Sequence, residues 1–127
     1  MKSTDLIHDS QMTHPISPGR HAMLDYTVAG SFLALAWSLR DSNRRASMLA
    51  MLNGGMVLGM SLLTNYPGGV IRKLSFKAHR TGDIVQAALA GVGPVLFGFA
   101  NTPEAKYFYS QAASEAGVIA ATDWDAA

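Results

Sequence analysis

Apolar runs of helical length, separated by short polar turns, organise this chain. The first extends from Ala22 to Leu39, the second from Ala46 to Thr64 and the third from Ile84 to Ala100. A fourth, more polar segment extends from roughly Glu104 to Thr122. Strict alternation of apolar and polar residues, which would indicate half-buried strands, is absent, and small helix-compatible residues dominate. The pattern therefore predicts an all-α fold of four helices.

Local signals place the ends of these helices. Ser17 is a good N-cap, and Pro18 suits the first helical position, where no amide hydrogen is needed. The polar turn at 40–45 ends the first helix. Pro67-Gly68-Gly69 breaks the second helix, and Asn101-Thr102-Pro103 ends the third.

Polar residues of the first half recur in the second half at a fixed offset of 58. Ser17, His21, Asp25, Asn43 and Thr64 recur as Ser75, His79, Asp83, Asn101 and Thr122, and Asn65-Tyr66 is echoed by Asp123-Trp124. An internal repeat indicates a duplicated architecture. We predict a flexible polar tail at 1–16 and one domain at 17–127, with repeats at about 17–68 and 75–126.

The apolar runs are uncharged apart from Asp25, near the start of the first run. No charged residue occurs within 26–39, 46–64 or 84–100. A helix of a soluble bundle would carry a charged outer stripe, whereas a bilayer span requires about 20 apolar residues. We therefore predict four transmembrane helices arranged as two tandem helical hairpins. Because each repeat holds an even number of helices, a pseudo-two-fold axis should run along the membrane normal.

Composition narrows the chemistry. The chain has no cysteine, which excludes disulfides and thiolate metal sites. Its net charge is +1 and no dense basic run is present, so we expect no nucleic-acid partner. The sequence contains no phosphate-binding loop, nucleophile elbow or zinc motif. We therefore expect no catalysis and no catalytic residues.

The segment Gly93-Pro94-Val95-Leu96-Phe97-Gly98-Phe99 resembles the SPW-repeat family of small bacterial membrane proteins. Members of that family have paired two-helix repeats with a Ser-Pro-Trp motif ahead of a Gly-Phe pair. Here Gly93 and Val95 replace the serine and the tryptophan, and the first repeat has Ala36-Trp37-Ser38 without a proline. The resemblance implies a four-helix protein of the bacterial inner membrane and names no activity.

Positive charges predict the orientation of the helices. Six lysines and arginines fall on the predicted inner side and four on the outer side. The inner residues are Lys2, Arg20, Arg72, Lys73, Lys77 and Arg80, and the outer residues are Arg40, Arg44, Arg45 and Lys106. Because cytoplasmic segments are enriched in lysine and arginine, we expect both termini in the cytoplasm.

The repeated polar residues should form one cluster near the inner boundary. Its members are His21, Asp25, His79, Asp83, Thr64, Asn65, Thr122 and Asp123. In one interpretation they tie helix ends together, with Tyr66 and Trp124 in an interfacial aromatic belt. In a second, His21 and His79 bind a metal or haem, and the aspartates orient their imidazoles. In a third, the histidine–aspartate pairs form a titratable relay for protons or small solutes.

Two further polar residues lie within predicted spans. Glu115 falls near the middle of the fourth helix, where a carboxylate should face the bundle interior or water. Asn53 lies within the second helix, so the two side chains could meet across the bundle. Glu115 is then either a protonatable group on a transport path or an exposed residue on a peripheral helix.

These observations leave three functions open. The leading interpretation is a small integral membrane protein that acts as a structural or accessory subunit, without a cofactor. The first alternative is a small transporter or proton-handling protein that uses the histidine–aspartate pairs and Glu115. The second is a haem- or metal-binding redox subunit. In each case we expect the lipid bilayer as surroundings, and a homo-oligomer or a larger membrane complex.

Overall fold

The computed structural model of the protein describes residues 14–126. It contains the helices α1 (Pro18–Leu39), α2 (Arg44–Leu63), α3 (Phe76–Leu96) and α4 (Ala105–Ala121). Over the described range the only β-structure consists of two isolated backbone bridges. The predicted all-α fold of four helices is therefore confirmed. Residues 1–13 of the predicted tail lie outside the described range.

Three of the four helices have a polar side chain that caps their N-terminus. The hydroxyl of Ser17 accepts a hydrogen bond from the backbone N–H of Arg20 at the start of α1. Ser75 accepts from the N–H of Ala78 at the equivalent point of α3, and the amide oxygen of Asn43 caps α2. Such caps satisfy backbone donors that have no partner within the helix.

Helix α3 ends at Leu96, earlier than the predicted stop at Asn101. Gly98 adopts a left-handed conformation with φ of +75°, which an L side chain rarely adopts. The N–H of Gly98 donates to the carbonyl of Val95, and the N–H of Phe99 donates to that of Pro94. These two bonds form a Schellman motif, which satisfies the last carbonyls and turns the chain away from the helix axis.

The two repeats make equivalent backbone contacts. Ile16 pairs with Thr122, and Leu74, which lies 58 residues after Ile16, pairs with Thr64. The N–H of Ile16 donates to Ala121 at 3.1 Å, and its carbonyl accepts from Asp123 at 2.9 Å. Each repeat thus places the segment before its first helix beside the end of the other repeat's second helix. Ile16 belongs to the folded domain rather than to the predicted tail.

Apolar side chains pack in two separate layers. Near the α1–α2 and α3–α4 turns, Phe32, Leu49, Phe99 and Phe108 form a core with several alanines. At the opposite end, a smaller cluster comprises Ala22, Tyr66, Phe76 and Trp124. The polar side chains of the bundle lie between these layers, so the interior is polar in the middle and apolar at both ends.

The distribution of polarity is inverted relative to a soluble bundle. The buried polar residues are His21, Asp25, Ser47, Asn53, Ser61, Thr64, His79, Asp83, Gln86 and Thr122. Large exposed apolar residues on the helices include Met23, Trp37, Met48, Met51, Leu52, Ile84, Val85, Val92 and Val95. Outside the turns and helix ends, the described helices therefore present a mainly apolar surface.

Two of the four helices are long and apolar enough to cross a membrane. They are α1 and α2, which form the first hairpin. Helices α3 and α4 do not meet the same requirement of length and composition. Helices able to span a bilayer are therefore found in the first hairpin. That all four helices span it remains a prediction.

Gly54 marks the closest approach of α1 and α2. A Cβ atom at this position would lie 2.9 Å from Leu33 Cγ and 3.1 Å from Phe32 Cβ, whereas a Cβ at Gly55 would meet nothing within 4 Å. We expect Gly54→Ala to destabilise the bundle by about 1–3 kcal/mol through overpacking. Thermal unfolding in detergent measures this effect.

Gly55→Ala is the matched control for that substitution. The same methyl group projects into open space there, and alanine favours the helix by up to about 1 kcal/mol over glycine. Its melting temperature should equal or exceed that of the unmodified protein. Equal melting temperatures for the two variants would contradict the close helix contact at Gly54.

Candidate functional site

Two histidines and two aspartates form a buried cluster between α1 and α3. His21 and Asp25 lie one helical turn apart on α1, and His79 and Asp83 occupy the equivalent positions on α3. Each of the four residues is less than one-tenth exposed. Because the polar faces of the two helices are turned towards each other, the predicted pairs meet as a single quartet.

The imidazole Nε2 atoms and the carboxylate oxygens alternate around a closed ring. His21 Nε2 lies 2.8 Å from Asp83 Oδ2 and 3.4 Å from Asp25 Oδ1. His79 Nε2 lies 3.0 Å from Asp25 Oδ2 and 3.0 Å from Asp83 Oδ1. Each histidine therefore contacts the aspartate of its own repeat and that of the other.

Two threonines fix the orientation of both imidazoles. The Thr64 hydroxyl donates to the carbonyl of Met60, and the Thr122 hydroxyl donates to that of Val118. A hydroxyl has one hydrogen, so each threonine oxygen can only accept from the histidine beside it. His79 Nδ1 donates to Thr64 Oγ1 at 2.6 Å, and His21 Nδ1 donates to Thr122 Oγ1 at 2.8 Å. Both Nδ1 atoms thus carry a proton, and both Nε2 atoms face the carboxylates.

Aromatic side chains close the end of the quartet nearest the chain termini. The phenol of Tyr66 donates to Asp25 Oδ2 at 2.9 Å. The rings of Phe76 and Trp124 lie 5.6 and 4.9 Å from the ring of His21. Tyr66 and Trp124, expected in an interfacial belt, are instead buried against the quartet, with exposed fractions of 3% and 8%.

Two residues predicted for the cluster lie outside it. Asn65 is exposed and uses its backbone N–H to donate to Leu74. The carboxylate of Asp123 accepts from the backbone N–H of Asp125. Both residues follow the helix-ending threonines, where the chain has already turned away from the bundle axis. The remaining six predicted residues are brought together.

The quartet requires positive charge at its centre. With Nδ1 protonated and Nε2 bare, two imidazoles and two carboxylates carry a charge of about −2, and lone pairs oppose one another across the ring. A buried arrangement of this kind is strongly unfavourable without cations. Two protons on the Nε2 atoms or one divalent metal ion would neutralise it.

The two histidines differ in how they meet the carboxylates. His21 Nε2 makes a directed hydrogen bond with Asp83 Oδ2, whereas His79 Nε2 is buried and equidistant from two carboxylates, and neither of its contacts has the direction of a hydrogen bond. One potential ligand atom from each of the four residues lies within 4.8 Å of all the others. A tetrahedral zinc ion with bonds of about 2.0 Å separates its ligands by about 3.3 Å. The four contacts around the ring, at 2.8–3.4 Å, are already close to this separation.

A second group of polar side chains lies deeper in the bundle. Gln86 Nε2 donates to Asn53 Oδ1 at 2.8 Å, and Asn53 Nδ2 donates to the carbonyl of Leu49. Both oxygens of Glu115 are buried and have no hydrogen-bond partner among the described residues. Asn53 therefore pairs with Gln86 rather than with Glu115. Gln86 gave no repeat signal, because its counterpart in the first half is Val28.

A cavity of about 60 Å³ connects Glu115 with the quartet. Its lining includes His21, Asp25, Asp83 and Gln86. The cavity is large enough to hold water. Glu115 thus lines the same cavity as three of the four candidate ligands, His21, Asp25 and Asp83.

No protein family, curated protein or solved structure matches this chain. The resemblance to SPW-repeat proteins accordingly remains a prediction.

Tyr66 supports the quartet by donating to Asp25, and burial together with the Asp25 charge raises its pKa. We expect Tyr66→Phe to lower stability by about 1.5–3 kcal/mol, because a carboxylate loses a donor. The raised pKa predicts a second effect. Folding should become less favourable as the pH rises above the usual tyrosine value of 10.0, since the unfolded state then releases the phenolic proton more readily.

Melting temperatures measured between neutral and strongly alkaline pH check both effects. The alkaline loss of stability should be smaller in Tyr66→Phe than in the unmodified protein. Tyr109→Phe, at a position 40% exposed, serves as the control and should keep the full alkaline loss. Identical pH profiles for all three proteins would contradict the assigned role of Tyr66.

Proposed function

We propose that this chain is an integral membrane protein that holds one divalent transition-metal ion between its two helical hairpins. The ligands are His21, Asp25, His79 and Asp83. The observation that carries the proposal is the convergence of two imidazole Nε2 atoms and two carboxylates in a site with less than one-tenth exposure. Imidazole and carboxylate ligands favour ions such as Zn²⁺ or Fe²⁺.

The threonines supply the support that metal-binding histidines need. A ligating histidine usually donates its other ring N–H to an acceptor, which fixes both the tautomer and the ring orientation. Thr64 and Thr122 accept these bonds from His79 and His21. Because each threonine is held by a bond to its own helix, the acceptors are already in place before a metal binds.

The inverted distribution of polarity supports a location in the membrane. The described charged residues outside the helix ends and turns are Asp25, Asp83 and Glu115, whose carboxylates lie inside the bundle. Ionisable residues within membrane segments face the interior and pair there, while the surface is apolar. We therefore extend the spans from α1 and α2 to all four helices.

The layered interior favours a resident ion over a transported one. The polar groups extend from the quartet to Gln86 and Asn53 and end at the apolar core around Phe32 and Phe108. A path across the membrane would have to continue through that core. A fixed ion that joins α1 to α3 is consistent with this apolar block and with the predicted role as a structural membrane subunit.

Metal analysis tests the proposed centre. We expect one divalent ion per chain in detergent-purified protein, and tetrahedral Co²⁺ absorption after exchange. Thr64→Val retains the shape of the side chain but removes the acceptor for His79 Nδ1. Loss of such a supporting bond lowers metal affinity by about 10- to 100-fold. His79→Ala should abolish binding.

Thr27→Val is the matched control for Thr64→Val. Thr27 makes the same type of bond to the carbonyl four residues earlier but lies on the exposed surface, away from the quartet. Its metal affinity should equal that of the unmodified protein. Purified protein that contains no metal and does not bind Zn²⁺, Fe²⁺ or Co²⁺ would refute the proposal and leave the quartet as a protonated tie between helices.

Fractionation tests the membrane location. The exposed apolar surface should keep the chain in the membrane pellet after an alkaline carbonate wash, and detergent should release it. A peripheral protein treated in parallel provides the control for extraction. Recovery of this chain in the carbonate supernatant would show that it does not span the bilayer.

A further inference from the structure

Both ends of the quartet are closed by large side chains. Tyr66, Phe76 and Trp124 pack over the end nearest the termini. The core around Phe32 and Phe108 closes the other end. An ion that reaches the quartet along the bundle axis would have to displace one of these layers.

The cavity beside the quartet offers a lateral approach between α1 and α4. Leu24 and Val28 line it from α1, and Ser114, Glu115 and Val118 line it from α4. Leu24 is 38% exposed and Ser114 is also exposed, so the rim of the cavity reaches the protein surface. Leu24 lies about two turns from the start of α1, and the lining residue Ile119 lies two residues before the end of α4, so the approach begins near the helix ends and not at the centre of the bilayer. The remaining lining includes the ligand residues His21, Asp25 and Asp83.

Glu115 is placed where an entering cation would first meet a carboxylate. Its two oxygens are buried and unpartnered among the described residues, and they share the cavity with Asp25 and Asp83. They do not belong to the set of ligand atoms that lie within 4.8 Å of one another. Glu115 can therefore hold an ion beside the quartet without being one of its four ligands.

We propose that Glu115 is a transient binding site for a divalent cation on its lateral route to the quartet. This inference rests on the proposed metal centre. A buried carboxylate without a hydrogen-bond partner is stabilised by a cation, and a negative group at a narrow entrance raises the local cation concentration. The carboxylate would thus replace part of the hydration shell before the ion transfers to the quartet.

Stopped-flow loading of the metal-free protein with Co²⁺ tests the inference. Glu115→Gln preserves size and removes the charge, and we expect it to slow loading by about tenfold or more. The final stoichiometry should stay at one ion per chain, with tetrahedral absorption unchanged, because the four ligands are intact. Release to a chelator should slow as well, since the ion leaves by the same route.

Two further variants keep the test decisive. Ser114→Ala changes the neighbouring rim residue without removing a charge and should load at the unmodified rate. Leu24→Phe fills the opening from α1 and should slow loading even if Glu115→Gln does not fold. Loading of Glu115→Gln, or of Leu24→Phe in its place, at the unmodified rate would overturn the inference while leaving the metal centre intact. Failure of the unmodified protein to bind Co²⁺ would refute the centre itself.

Discussion

Withdrawal of Asp25 and Asp83 from water is the constraint on which the rest of the structure depends. Removing a carboxylate from solvent costs several kcal/mol even after relaxation, so each must be compensated locally. The imidazoles of His21 and His79 approach both carboxylates, and Tyr66 donates a further hydrogen bond to one. The helix ends that carry the threonines and the aromatic residues are placed to maintain these contacts.

The same constraint explains the layers of the bundle. The attraction between the imidazoles and the carboxylates is stronger where the effective dielectric constant is low. Bulk water around the quartet would raise that constant and weaken the attraction. Aromatic rings on one side and the phenylalanine-rich core on the other keep solvent away from the two ends of the quartet. Of the polar groups near it, Gln86 donates to Asn53, and Asn53 donates to the carbonyl of Leu49.

The sequence predicted much of this arrangement and missed its detail for physical reasons. Spacing of four residues placed His21 beside Asp25, and the offset of 58 implied an equivalent pair on α3. Spacing within one helix could not reveal that the shorter contact of His21 is to Asp83, since that distance depends on how the helices pack. Tyr66 and Trp124 occupy equivalent positions of the two repeats but make different hydrogen bonds. The phenol of Tyr66 donates to the Asp25 carboxylate, whereas the indole of Trp124 donates to the carbonyl of Ile119.

The threonine–histidine bonds all join one repeat to the other. His21 is held by Thr122, and His79 is held by Thr64. One hairpin alone therefore has a histidine without its acceptor and a threonine without its donor, so it carries complementary halves of a site that only a second hairpin completes. Two separate hairpins would have to meet by diffusion. Covalent linkage through residues 64–75 replaces that encounter with a fixed effective concentration, typically in the millimolar range for short linkers.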